Sequence, residues 1–213
     1  MHVRNVVRLG FVVLPLAAAG LAIASSGGAP ASRTGAPAIA SKSSESTCQG
    51  CHSGATVNSG ATLELINAPN FYVAGDTYTF TVRISSSSTN ANSGRVWAFE
   101  LTALSMVDGN GAGTFTPVAG QGTQVINGTG SMSTRSYLES TTGRTGAATP
   151  EEWQVQWTAP DPSVGPVGFF AAGVAGNGTG SKSGDFVATV AQTMADVTPT
   201  EQVTWGRVKA IYR

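Results

Sequence analysis

Chemically active side chains are scarce in this chain. Its 213 residues include 2 cysteines and 2 histidines, and only 11% are charged, 12 basic against 12 acidic. So few cysteines exclude a disulfide-stapled scaffold of the small secreted kind. With His2 at the extreme N-terminus, a hydrolytic triad has one imidazole to draw on, and there is no G-x-S-x-G stretch. No glycine-rich phosphate loop, dinucleotide fingerprint, metal-cluster motif or marked carboxylate pair is present, which argues against a self-contained redox enzyme or hydrolase. The sparse, balanced charge leaves no basic patch for nucleic acid or anionic lipid. No segment carries a sustained 3.6-residue period with caps, so long helices are not expected.

The one long apolar run lies at the start. Arg4 and Arg8 precede Leu9 to Ile23, and Ala22-Ile23-Ala24 has the small-residue pattern of a cleavage site. Residues 1–24 therefore read as a secretory signal peptide; the run is short for a membrane span and holds Pro15, Gly10 and Gly20. Losing Arg4 and Arg8 takes two from the 12 basic residues against 12 acidic ones, a net charge of about −2. Residues 25–46, SSGGAPASRTGAPAIASKSSES, have no apolar periodicity and read as a flexible linker. Nothing beyond the signal segment predicts an integral span, so the product is expected in the periplasm, outside the cell or at its surface.

What is present is concentrated in five residues. Cys48-Gln49-Gly50-Cys51-His52 is C-x-x-C-H, the attachment pattern of a c-type haem. Two intervening residues let one turn set both thiols along the porphyrin edge that carries the vinyl groups. The next residue brings an imidazole nitrogen under the iron. Both cysteines and the sole histidine of the processed chain fall in this stretch. The expectation is one covalent haem c on Cys48 and Cys51, with His52 as proximal ligand. Three other readings stay open. A Cys48–Cys51 disulfide closes too short a loop to stabilise much. Zinc wants four ligands, so a carboxylate such as Glu45 has to complete the set. A thioredoxin-like pair needs a βαβ setting that lowers a thiol pKa. For the sixth position of the iron the candidates are Met106, Met132 and Met194, with Met106 preferred because it enters a loop after a strand; otherwise the position is open.

The rest of the chain alternates with period two. In TYTFTVRI, Tyr78, Phe80, Val82 and Ile84 share one face; in RVWAFELTAL, Trp97, Phe99, Leu101 and Ala103 do; in EWQVQWT, Trp153, Val155 and Trp157 do. GPVGFFAAGVAG is a continuous apolar run suited to a central strand. ATLELI, GTFTPV, GTQVI, RSYLEST, DFVATVAQT and QVTWGRVKAIY complete the set, separated by Gly-, Ser- and Asn-rich turns. The aromatic residues Trp97, Phe99, Trp153, Trp157, Phe169 and Phe170 are expected in the core. The pattern predicts an all-β, antiparallel, immunoglobulin-like β-sandwich over 61–213, preceded by a short C-x-x-C-H segment over 47–60.

The order of these features resembles the bacterial reelin-domain (Reeler-like) proteins of the choice-of-anchor V type, which place TCxxCHSG just before a β-sandwich. Here the stretch is TCQGCHSG, followed by YVAGDTYTFTV, WAFELTAL, EWQVQWTAP, GFFAAGVAGNGTGSKSGD and TWGRVK, over about residues 46–210. The resemblance implies an immunoglobulin-like sandwich and little about activity, with no established catalytic residues to carry over. Two expectations for function follow. One is an exported monohaem electron-transfer module that serves a redox partner protein. The other is a non-enzymatic adhesion or matrix-binding module that meets an extracellular surface component, with Cys48 and Cys51 structural.

Overall fold

A computed structural model describes residues 27–86, 95–146 and 150–197. The expected signal peptide and the strand expected at QVTWGRVKAIY lie outside the described residues. The strands are β1 (Ser53–Gly54), β2 (Thr62–Ile66), β3 (Phe71–Tyr72), β4 (Thr77–Ser85), β5 (Val96–Ser105), β6 (Thr114–Thr116), β7 (Thr123–Asn127), β8 (Ser136–Ser140), β9 (Arg144–Thr145), β10 (Glu151–Thr158), β11 (Val167–Gly176) and β12 (Ser183–Asp196). They form two sheets. The larger runs β1-β12-β11-β5-β8-β7, with β3 also on β12 and β9 also on β5; the smaller runs β2-β4-β10-β6. The protein is an all-β sandwich, as the period-two pattern requires.

Between the sheets lies a dry aromatic core. β4 and β10 pair so that Phe80 stands opposite Val155 and Val82 opposite Trp153. Trp97, Trp153, Trp157 and Phe169 are fully buried there. Trp157 meets Phe169 edge-on with ring centroids 5.1 Å apart, and Phe99 lies 4.9 Å from Trp153. Such pairs add to the area term of burial. The sheets approach closely over Gly173, where a Cβ would sit 2.5 Å from Ile84 Cδ1. That contact explains a glycine inside the central strand.

Two expectations are corrected. The first concerns residues 25–46, expected as a flexible linker. Their described part, from Gly27, lies on the outer face of the larger sheet. Gly35 and Glu45 donate backbone hydrogen bonds to Ser46 and Ala36, and Ile39 and Lys42 exchange a pair, so the segment folds back on itself. Ala36 and Ile39 pack on Leu104 and Phe170. A segment poor in apolar residues is held there because the sheet offers buried polar partners. The backbone amides of Ser32 and Arg33 donate to Glu100 Oε1 at 2.9 and 3.1 Å, and the segment's own Glu45, which also accepts from Thr34 Oγ1 at 2.6 Å, accepts from Tyr137 Oη of β8 at 2.7 Å. For the same reason Phe170, expected in the main core, is buried in this second, outer cluster. The second correction concerns the boundary at residue 60. β1 falls inside the C-x-x-C-H segment and pairs in parallel with β12, so that segment is part of the sheet.

Candidate functional site

The C-x-x-C-H stretch is one turn of 3-10 helix, Cys48–Gly50. Thr47 starts it: its side-chain oxygen accepts from the Gln49 amide at 3.1 Å, which satisfies a donor that the turn cannot. The amides of Cys51 and His52 both donate to Cys48 O, at 3.1 and 2.9 Å. This winding brings both thiols and the imidazole to one cavity of about 350 Å³, in the range of small-molecule sites. The chain leaves the turn straight into β1, where Ser53 donates to Lys182 O at 2.8 Å and Gly54 pairs with Asp185. A Cβ at Gly54 would come 2.2 Å from Asp185 O, so only glycine permits this approach.

That pairing delivers the residue that motif reasoning missed. Asp185 Oδ2 lies 2.7 Å from His52 Nδ1. The Asp185 side chain is 4% exposed and that of His52 29%. Asp185 sits 133 positions away in the sequence, in a turn-like stretch, SGD, that carries no motif. The only sequence signal is a carboxylate at the very start of the alternating stretch DFVATVAQT. His52 Nε2 has no hydrogen-bond partner among the described residues and is the nitrogen left for a metal.

The two thiols differ. Cys48 is buried against Ala172, Val174 and Val187, and Cys51 is exposed. Burial first, then the charge of Glu100, pushes the Cys48 thiol up to about 12. A redox-active pair needs the opposite shift. Both cysteines are free thiols. Glu45, the carboxylate that a zinc site would borrow, is engaged elsewhere: Arg135 Nη1 donates to its Oε1 at 2.5 Å and Tyr137 Oη at 2.7 Å. Among the described residues no group of three or more His, Cys, Asp or Glu side chains is placed to hold a metal ion.

A haem c needs two reachable thiols, one imidazole with a free nitrogen, and an apolar wall. Cys48, Cys51 and His52 supply the first two. Val96, Ala98 and Val174 supply apolar wall, with Arg33 and Lys182 on the same cavity to meet carboxylates. The donor set and its surroundings fit the group.

The three methionines do not join the site. Ala98 lines the cavity, whereas Met106 lies at the other end of the same strand, roughly 26 Å away at the rise of an extended chain. There it packs on the cluster of Ile39, Leu104 and Phe170. Met106 as sixth ligand of an iron held by His52 is therefore corrected: strand length separates them. Met194 is wholly buried in the core at the far end of β12 from Asp185. Met132 ends a short turn, Gly130–Met132, between β7 and β8, at the end of the sheet where Ser136 pairs with Asn127.

Among the described residues no helix is long and apolar enough to cross a membrane. No protein-family model matches the chain. No curated protein matches it either. Among solved structures, it is similar to the human F-spondin reeler domain (fragment 1), with a TM-score of 0.42 and 19% identity over 68% of this chain and 92% of that one. The Reelin-N domain of F-spondin has a TM-score of 0.44 and 17% identity over 71% of this chain and 96% of that one. A cohesin from scaffoldin B of Acetivibrio cellulolyticus has a TM-score of 0.36 and 11% identity over 61% and 98%. The assignment as a β-sandwich rests on the chain's own two sheets.

Proposed function

We propose that the chain is an exported, Reeler-like β-sandwich protein that carries one covalent haem c and passes single electrons outside the inner membrane. Cys48 and Cys51 hold the porphyrin by thioether bonds and His52 Nε2 holds the iron. The carrying observation is that both thiols and the His52 imidazole line one cavity, with Nδ1 of that imidazole engaged by a buried carboxylate. The haem, when bound, supplies the one-electron couple. The protein's own part is to anchor it, orient the imidazole, and cover one side with residues 28–33. Export is supported by the arginine-led apolar N-terminus. Met106, Met132 and Met194 all lie away from the cavity, so none of them would supply a further ligand to an iron held by His52.

The test is expression with a haem-c maturation system. Intact mass should show one haem added, and Cys48→Ala/Cys51→Ala should remove it. The oxidised protein should lack the weak far-red band of Met-ligated iron and the reduced protein should bind carbon monoxide. An unmodified polypeptide, from a host that loads other c-type cytochromes, refutes the reading.

A further inference from the structure

We propose that Asp185 is the positioning residue of this site: it holds His52 in the Nδ1–H tautomer, presents the Nε2 lone pair to the cavity, and lowers the reduction potential of the iron bound there. The inference rests on the haem reading of the same site. A carboxylate only accepts hydrogen bonds, so at 2.7 Å the proton between the two groups starts on Nδ1. That leaves Nε2 unprotonated, the form a metal requires. The carboxylate pulls on the Nδ1 proton and makes Nε2 a stronger donor, which favours the oxidised iron.

The carboxylate is itself held. Its Oδ1 accepts from the Asn177 amide at 2.9 Å. Asn177 is braced in turn, its Nδ2 donating to Ser183 O at 2.9 Å and its Oδ1 accepting from the Thr179 amide at 3.1 Å. On the other side the β1 backbone closes over Asp185 at Gly54. Asp185 therefore has one oxygen fixed by a backbone donor and the other aimed at His52.

This arrangement makes the isosteric variant more informative than truncation. In Asp185→Asn the Asn177 amide still demands an acceptor, so the carboxamide oxygen takes that place. Its NH2 then faces His52 Nδ1, which must accept. The proton moves to Nε2, the nitrogen the iron needs. In Asp185→Ala the tautomer is released rather than reversed.

Two measurements on the full-length chain test this. In protein made without haem, nitrogen-15 spectra of the neutral His52 ring should show Nδ1–H in the wild type and Nε2–H in Asp185→Asn. In haem-loaded protein, Asp185→Ala should lower the ratio of oxidised to reduced iron at a fixed potential by about tenfold, a positive shift of about 59 mV for one electron. Asp185→Glu should recover part of it. A wild-type ring carrying Nε2–H, or a loaded Asp185→Ala with unchanged potential, overturns the proposal. Should the alanine variant not fold, Asp185→Ser, which likewise removes the carboxylate, replaces it in the redox titration with the same expected sign. Failure of the wild type to take haem sinks the proposed function, while the ring spectra still decide the tautomer.

Discussion

β5 separates two chemistries by a single residue step. Toward the smaller sheet it presents Trp97, Phe99, Leu101 and Ala103, all buried among other apolar side chains. Toward the outside it presents Ala98, Glu100, Thr102 and Leu104, which are covered by residues 28–46 or line the cavity. Both faces are largely buried, yet one is filled with rings and the other carries carboxylates. Burial therefore does not dictate composition; what decides is whether the covering layer brings partners. The outer face has them: Arg135 Nη1 pairs with Glu45 with both side chains fully buried, and Gln124 Nε2 donates to Glu139 at 2.8 Å. Among the described residues the pairing is incomplete, since Glu100 Oε2 and Glu139 Oε2 have no hydrogen-bond partner there.

The contrast is sharpest under truncation. Trp153→Ala on the inner face should cost about 3–5 kcal/mol, from lost transfer energy and the cavity left behind. Denaturant unfolding reads it, and a cost near zero would mean the core assignment is mistaken. Arg135→Met on the outer face should cost about as much, or slightly less, because it strands the buried Glu45 charge. Adding Glu45→Leu should recover much of that loss, whereas no second apolar change repairs Trp153→Ala. If the double variant is no better than Arg135→Met alone, the outer face is not held by the ion pair.

The faces should also differ in their response to pH. Burial is the main reason Glu100 is pushed from 4.5 up to about 8; the amides of Arg33 and Ser32 pull it down, while the charges of Glu139 and Glu45 add to the rise. Between those two pH values the folded chain keeps a proton that the unfolded chain has lost. The native state then binds more protons, so stability is full below about 4.5 and falls as pH rises toward 8. The slope is at most about 1.4 kcal/mol per pH unit from this one group. Melting temperature against pH should show that decline, and Glu100→Gln should flatten it. An unchanged slope in the variant assigns the decline to other groups. The smallest effect belongs to the turn that opens the site. Thr47→Ala removes one capping bond and should cost about 0.5–1 kcal/mol, with haem loading retained; a larger loss would show that Thr47 does more than start the turn.

Much of the inner face was legible in the sequence. Tyr78 to Ile84, Trp97 to Ala103 and Trp153 to Trp157 alternate strictly, and alternation is the physical signature of a strand with one buried face. The outer face was not, because its apolar content is low: Ala36 and Ile39 are two small signals in a Ser- and Pro-rich stretch. A covering segment that docks by hydrogen bonds from Ser32 and Arg33 to Glu100, and from Arg135 and Tyr137 to its own Glu45, leaves no periodic trace. Cys48, Cys51 and His52 were legible because their spacing is local and chemical. Asp185 was not, since it reaches His52 only through the pairing of β1 with β12. Met106 misled for a related reason: proximity in sequence to a loop says nothing about which end of the sheet that loop occupies.

The two-residue β1 has a further consequence for how the molecule meets other molecules. β12 is 14 residues long and has β11 along one side. Its other side is shared by two short parallel pieces, β1 near its start and β3 near its end. An uncovered strand of that length is a template on which another chain can add and aggregation can begin. The short strand leading out of the thiol-bearing turn thus doubles as a guard on the sheet margin, and a chain that lost it would trade the His52–Asp185 pairing for a sticky edge.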